Sequence, residues 1–239
     1  EMSRVIEHLI ASDDSNMKVM SMLRGLDMRN ALANGHDRPR SEVELLAGPF
    51  EHIVVDEAQE LTDAEWQMLI ARCPSRSFTL AGDRAQARSG FFESWTERLD
   101  RVGLRDARRM LLNVNYRTPR EVMAEAEPVI RSEFPGADVP VSIRSTGLPV
   151  CRIPLRDVVP LVDDFLQETR TGTVGVVATH DIDLWENPRV SVLSPEHVKG
   201  LEFDLVVVLS PQKFGDGITG AVDRYVAMTR ATQRLVLAE

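Results

Sequence analysis

The sequence is poor in the features that mark exported, membrane-bound or metal-stapled proteins. It contains no run of roughly 18 apolar residues and no charged-then-apolar leader, so it shows neither a membrane span nor a secretory signal, and a cytoplasmic protein is expected. Cysteine is scarce. Cys73 and Cys151 stand far apart in unrelated contexts, and two such thiols build neither a disulfide framework nor a metal cluster. Both read as reduced core or surface residues. No internal repeat or low-complexity segment is visible. Basic residues are in deficit, 28 against 37 acidic ones, for a net charge of −9. This balance works against tight nucleic-acid binding through a broad basic surface, though it leaves room for a local basic groove. It is also what keeps an ordinary cytosolic protein soluble.

What is present is the material of one or two α/β domains: 239 residues, 43% hydrophobic and 27% charged. Residues 1 to about 33 read as helices, with Ile6, Leu9 and Ile10 on one stripe and Val19, Met20, Met22, Leu23 and Leu26 on another. Five of the nine methionines fall in the first 28 residues, which suits core packing or an adaptable partner surface. Asn34 to Arg40 is a polar Gly/Pro connector. Beyond it, short apolar runs alternate with amphipathic segments, the pattern of a mostly parallel sheet. Strands are expected at 52–55, the first of them buried, at 77–81, and near 149–154, 173–178, 189–193, 204–209 and 233–237. Helices are expected after the capping box Thr62-Asp63-Ala64-Glu65 and near 94–101, 119–132, 156–169 and 219–230.

Five segments carry chemistry. Asp56-Glu57-Ala58-Gln59-Glu60 places acids at the carboxyl end of the first strand, where open α/β sheets bind ligands. An Asp there can hold Mg²⁺ with waters and phosphate oxygens, and an adjacent Glu can orient and deprotonate a water. Two acids after a strand are also common as a helix N-terminal pair. The second strand ends in Gly82-Asp83-Arg84-Ala85-Gln86, whose glutamine can sense a terminal phosphate. Arg117 in Asn115-Tyr116-Arg117-Thr118-Pro119 precedes a helix that Pro119 can start, and Arg230 sits in Tyr225-Val226-Ala227-Met228-Thr229-Arg230-Ala231. Each arginine alone is equally a surface salt-bridge residue. Lys199-Gly200-Leu201-Glu202-Phe203-Asp204 is a glycine turn feeding the run Leu205 to Leu209.

In this order the five segments resemble motifs II, III, IV, V and VI of UvrD/Rep-like superfamily 1 helicases. The resemblance covers residues 53–237 and implies two RecA-like P-loop NTPase domains with parallel sheets. The first would be incomplete and span 41–113, the second 114–239, with 1–40 a helical segment and loop. It further implies ATP and Mg²⁺ as cofactors, Asp56 as metal ligand and Glu57 as water activator. Gln86 would couple the γ-phosphate to domain movement, Arg117 and Arg230 would be arginine fingers, and Gln59, Gly200 and Glu202 would contact the nucleotide.

One expected element is missing: Gly-x-x-x-x-Gly-Lys-Ser/Thr, the loop that cradles phosphates, occurs nowhere. The expectation is a chain that lacks the upstream half of the first domain and is not a complete ATPase. Two departures bear on the load. Ala87-Arg88-Ser89-Gly90-Phe91-Phe92 offers serine where DNA-translocating relatives carry an aromatic, although Phe91 can still stack on a base and Arg88 can meet a phosphate. Glu196 stands three residues before Lys199, where those relatives have histidine, and a carboxylate there repels a phosphate backbone. Little space for a second-domain insertion remains around 179–188.

With the acidic balance, these features resemble the HelD/HelR branch, actinobacterial type, whose members are ATPases that bind RNA polymerase. That resemblance implies a monomeric protein that recycles stalled or inhibited transcription complexes, has weak or local nucleic-acid contacts through Arg88, Phe91 and Lys199, and makes no membrane contact. Residues 1–33 would be a remnant of an insertion that reaches the polymerase. Two alternatives stay open: a 3′–5′ ssDNA translocase of UvrD type, and a non-catalytic RecA-like binding module.

Overall fold

The computed structural model describes residues 48–180, 182 and 185–239. The expected helices of 1–33 and the connector 34–40 lie outside the described residues. The described residues fall into two compact units, 48–54 with 63–79, and 55–62 with those from 80 onward. In the first unit the described part is small. Helix α1 (Asp63–Arg72) follows the expected start signal and buries Trp66. Strands β1 (Ile53–Val55) and β2 (Phe78–Leu80) form a two-stranded sheet, and the division between the units runs across both. The first strand is not uniformly buried as expected: Val54 is 70% exposed and only Val55 is buried. An apolar run of this length does not fix burial of both faces, because a strand paired in so narrow a sheet buries alternate residues only.

The second unit holds everything else. After α2 (Trp95–Val102) come β3 (Val114–Asn115), α3 (Arg120–Glu133) and β4 (Val141–Ser142). Then follow β5 (Cys151–Ile153), α4 (Val158–Glu168), β6 (Val174–Val177), β7 (Val190–Leu193), β8 (Phe203–Leu209), α5 (Gly217–Thr229) and β9 (Ala231–Ala238). The main sheet has five strands in the order β5-β9-β8-β6-β7, and every neighbouring pair is parallel. The α/β class with parallel sheets is therefore as expected. Strands β3 and β4, a separate parallel pair, were not anticipated. Each is two residues long and exposes its valine, so neither leaves an apolar run to read.

The run Leu205-Val206-Val207-Val208-Leu209 becomes a strand because both of its faces are covered, and a parallel strand buried on two sides needs no polar alternation. Val206 and Val208, with Leu235 and Leu237 of β9, pack beneath α3 and α5 against Val122, Met123, Ile130 and Tyr225. Leu205, Val207 and Leu209, with Val236, face Val158, Val162 and Phe165 of α4. Each such side chain contributes roughly 1.5–3 kcal/mol by leaving water, so this double layer fixes the strand ends on which the candidate site stands. In α3 the buried Val122, Met123, Ala126 and Ile130 mark one helical stripe. Pro128 is tolerated inside α3 because it and Ala124, whose carbonyl it leaves without an amide partner, are on the exposed side. Helix α2 begins at Ser94 with a reciprocal capping box to Glu97 and ends at Gly103 in the left-handed conformation. Cys73 and Cys151 are free. Among the described residues no helix is long and apolar enough to cross a membrane.

Candidate functional site

The acid cluster begins where β1 ends. Asp56 is exposed, and one of its carboxylate oxygens accepts the Glu57 amide at 2.8 Å. Glu57 adopts φ 54°, ψ 37°, the left-handed region that disfavours side chains larger than glycine. Backbone held in that region collects at functional sites, where surrounding contacts enforce it. Two contacts do so here. Gln59 Nε2 donates to Glu57 Oε2 at 2.5 Å while its Oε1 accepts the Asp83 amide at 3.0 Å. Lys199 Nζ lies 3.0 Å from Glu57 Oε2 and 2.7 Å from Glu60 Oε1, and donates to the Gln86 carbonyl at 3.1 Å. Gln59 is buried, with both ends of its amide committed to bracing Glu57 against the 82–86 turn.

That turn is packed tightly. A β-carbon on Gly82 would stand 2.7 Å from both Gln59 Oε1 and the Trp95 ring, so the close approach requires glycine. The Asp83 carboxylate accepts Ala85 N at 2.9 Å and Gln86 Nε2 at 2.8 Å. Burial pushes the Asp83 carboxyl up, against the pull of those two bonds. With its amide nitrogen taken, Gln86 turns Oε1 to Arg230 Nη2 at 3.2 Å.

Arg230 closes α5 just before β9 and is 2% exposed. Its Nε donates to the Val226 carbonyl at 3.1 Å. Burial, and after it the charge of Arg117, pull the Arg230 guanidinium down to about 10, which leaves it cationic at neutral pH. Arg117 follows β3 at an Asn115 turn: the Asn115 side chain accepts the amides of Arg117 and Thr118, each at 3.0 Å. Its guanidinium lies 3.8 Å from Glu202, which joins the segment after β3 to the one before β8. Gly200, at φ 78°, supplies the positive-φ turn into β8.

Asp83, Gln86, Arg117, Tyr225 and Arg230 line one cavity of about 210 Å³. This space admits a phosphate-sized group with its waters and is smaller than the roughly 300–1,000 Å³ of pockets that enclose a whole small molecule. The cavity joins the segment after β2 to the segment after β3 and to the end of α5, whereas Asp56, Glu57, Gln59, Gly200 and Glu202 are not among its lining residues. Two further lining residues went unassigned in the sequence reading: Asp83, visible only as the acid of its segment, and Tyr116, a 77% exposed ring beside Arg117 that offers a stacking face for a base.

The residues expected to touch nucleic acid or a partner are otherwise engaged. Arg88 Nε and Nη2 meet Asp223 at 2.7 and 3.0 Å, and Nη2 also lies 2.9 Å from Glu196. Phe91 is 1% exposed, packed on Trp95 at 4.7 Å between ring centroids with the Arg98 guanidinium 4.4 Å from its ring centre. Its neighbour Phe92 is the exposed ring, at 61%. Lys199 faces the acids Glu57 and Glu60. As for metal, no group of three His, Cys, Asp or Glu side chains among the described residues forms a cage. Mg²⁺ keeps several waters and shares one or two carboxylates with phosphate oxygens, so a lone exposed Asp56 at a strand end suits it.

The structure thus gathers an acid, a glutamine and two arginines at the ends of α/β strands. The chain belongs to the viral superfamily 1 RNA helicase core domain family, whose model matches residues 5–239. No curated protein matches it. Similar solved structures include the PRRSV helicase, at 17% identity over 78% of this chain and 34% of that one, with a TM-score of 0.45. Another is an arterivirus nonstructural protein 10 helicase in complex with DNA, at 20% identity over 77% and 38% of the two chains, TM-score 0.44. A third is the C-terminal domain of a possible DNA helicase from Lactobacillus plantarum, at 19% identity over 52% and 86%, TM-score 0.37. The chain thus spans about a third of the length of the PRRSV helicase.

Proposed function

We infer that this chain is the water-activating and arginine-finger part of an ATP-driven, helicase-like motor of HelD/HelR type whose load is RNA polymerase in a transcription complex. The observation that carries the catalytic reading is the Gln86 to Arg230 contact at 3.2 Å on the cavity that Arg117 also lines. Two RecA-like lobes dividing near residue 113 would bring these groups to one nucleotide. Glu57 orients an attacking water and takes its proton. Gln86 reads the terminal phosphate, Arg117 and Arg230 neutralise charge on the transferring phosphoryl group, and Gly200 and Glu202 meet the sugar side. Asp56 would hold Mg²⁺, which supplies charge neutralisation at the phosphates. The phosphate-cradling loop is not among these residues, so turnover is assigned to a protein that supplies one.

Charge supports this choice of load. Arg88 is spent on Asp223 and Glu196, Lys199 on Glu57 and Glu60, and Phe91 is enclosed. A surface so neutralised grips a phosphate backbone weakly. In the full-length protein, turnover should be independent of single-stranded DNA and the protein should bind purified RNA polymerase. Salt-sensitive ssDNA binding with DNA-stimulated turnover would instead establish the 3′–5′ translocase, and no turnover with the loop present would establish a binding module. Glu57→Gln should abolish hydrolysis and keep nucleotide binding; near-normal hydrolysis would sink its role.

A further inference from the structure

We propose that the Arg88–Asp223 ion pair ties α5 to the 84–88 segment and so sets the position of Arg230, with Asp223 and Arg88 as positioning residues for the phosphoryl-transfer step. This rests on the reading of Arg230 as an arginine finger. One face of α5 presents Thr219, Asp223 and Arg230: Asp223 follows Thr219 by four residues, and Arg230 follows Asp223 by seven, about 20° short of two turns and roughly 10 Å along the axis. Each meets the same short segment. Thr219 Oγ1 donates to the Arg88 carbonyl at 3.0 Å, Asp223 takes Arg88 Nε and Nη2 at 2.7 and 3.0 Å, and Arg230 donates to Gln86 at 3.2 Å.

The middle contact dominates by geometry and burial. Asp223 is 4% exposed, and a paired fork fixes orientation as well as distance. Burial pushes the Asp223 carboxyl up while the Arg88 bonds pull it down. Glu196, between β7 and β8, gives Arg88 a second acid at 2.9 Å. Without the fork, α5 can roll. A roll of about 10° moves a group some 6 Å off the helix axis by about 1 Å, and a misplacement of that size costs on the order of a hundredfold in rate.

The test is ATP turnover in the full-length protein with its phosphate-binding loop, for Asp223→Asn, Arg88→Lys, Arg230→Ala and the double variant Asp223→Asn/Arg230→Ala. Asp223→Asn should lower kcat by about tenfold or more with KM within about twofold, and Arg88→Lys, which keeps charge and loses the fork, should fall between it and the parent. The double variant should turn over no more slowly than Arg230→Ala alone, because the tie acts only through that arginine. An unchanged kcat in Asp223→Asn, or losses that multiply in the double variant, would overturn the tie while leaving the finger intact. Full turnover in Arg230→Ala would overturn the finger assignment and the tie with it. Melting curves accompany each variant, and Arg88→Lys carries the test if Asp223→Asn does not fold.

Discussion

Replacing Gly82 by alanine probes the tightest contact beneath the candidate site. The added β-carbon would lie 2.7 Å from Gln59 Oε1 and 2.7 and 2.9 Å from two Trp95 ring atoms, so both neighbours must retreat by roughly 0.7 Å to reach ordinary contact near 3.4 Å. Overpacking of this kind costs about 1–3 kcal/mol. Moving Gln59 also strains its bond to the Asp83 amide, for about 1 kcal/mol more. The sum, about 2–4 kcal/mol, lowers Tm by roughly 4–16 °C in a chain of this size. The assay is thermal unfolding of residues 1–239 by circular dichroism, for Gly82→Ala and for Gly82→Ala with Trp95→Leu. The second change removes the ring atoms that the new methyl meets and should recover part of the loss relative to Trp95→Leu alone. A Gly82→Ala protein melting within a degree of the parent would refute the packing argument, and so would a loss of equal size with and without Trp95.

Three further outcomes follow from other contacts. Ser94→Ala removes the cap of α2 and half of its capping box and should cost about 1 kcal/mol, seen as a Tm lower by roughly 2–4 °C. Lys199→Met separates Glu57 and Glu60 from their shared cation; since those carboxylates are more than a third exposed, the loss should stay below about 1 kcal/mol, and the Tm gap to the parent should close as salt is raised. Glu121 is held at about 2, first by the Ser145 hydroxyl, against an ordinary value of 4.5. Its folded value is the lower one, so its contribution is complete above pH 4.5 and is lost as pH falls toward 2. Melting of Glu121→Gln and parent should therefore converge across that window, and a constant gap would contradict the assignment.

The sequence made the second unit's long elements legible because their residues satisfy local and tertiary demands together. The run from Leu205 to Leu209 is β-branched, apolar and buried on both faces, and Arg120 to Glu133 repeats its apolar stripe over nearly four turns. Strands β3 and β4 escaped notice because two residues cannot display a period. The candidate site was legible as residue types and order, while its wiring was not. Arg88 and Asp223 are 135 residues apart, as distant in sequence as any local pattern can be from informative, and an arginine in an exposed-looking segment reads equally as a phosphate ligand. Phe91 and Phe92 are adjacent and chemically equal, and only the placement of Trp95 and Phe134 decides which of them is enclosed.

The left-handed backbone of Glu57 has a consequence for how this protein responds to selection. A glutamate at φ 54° costs on the order of 1–2 kcal/mol that glycine at the same place would not. Libraries sorted for thermostability alone should therefore enrich Gly or Asn at position 57, trading the carboxylate proposed to activate water for a relaxed turn. Enrichment of glutamate at that position would mark selection for turnover, so a paired stability and activity screen reads out this residue without any prior assumption about the load.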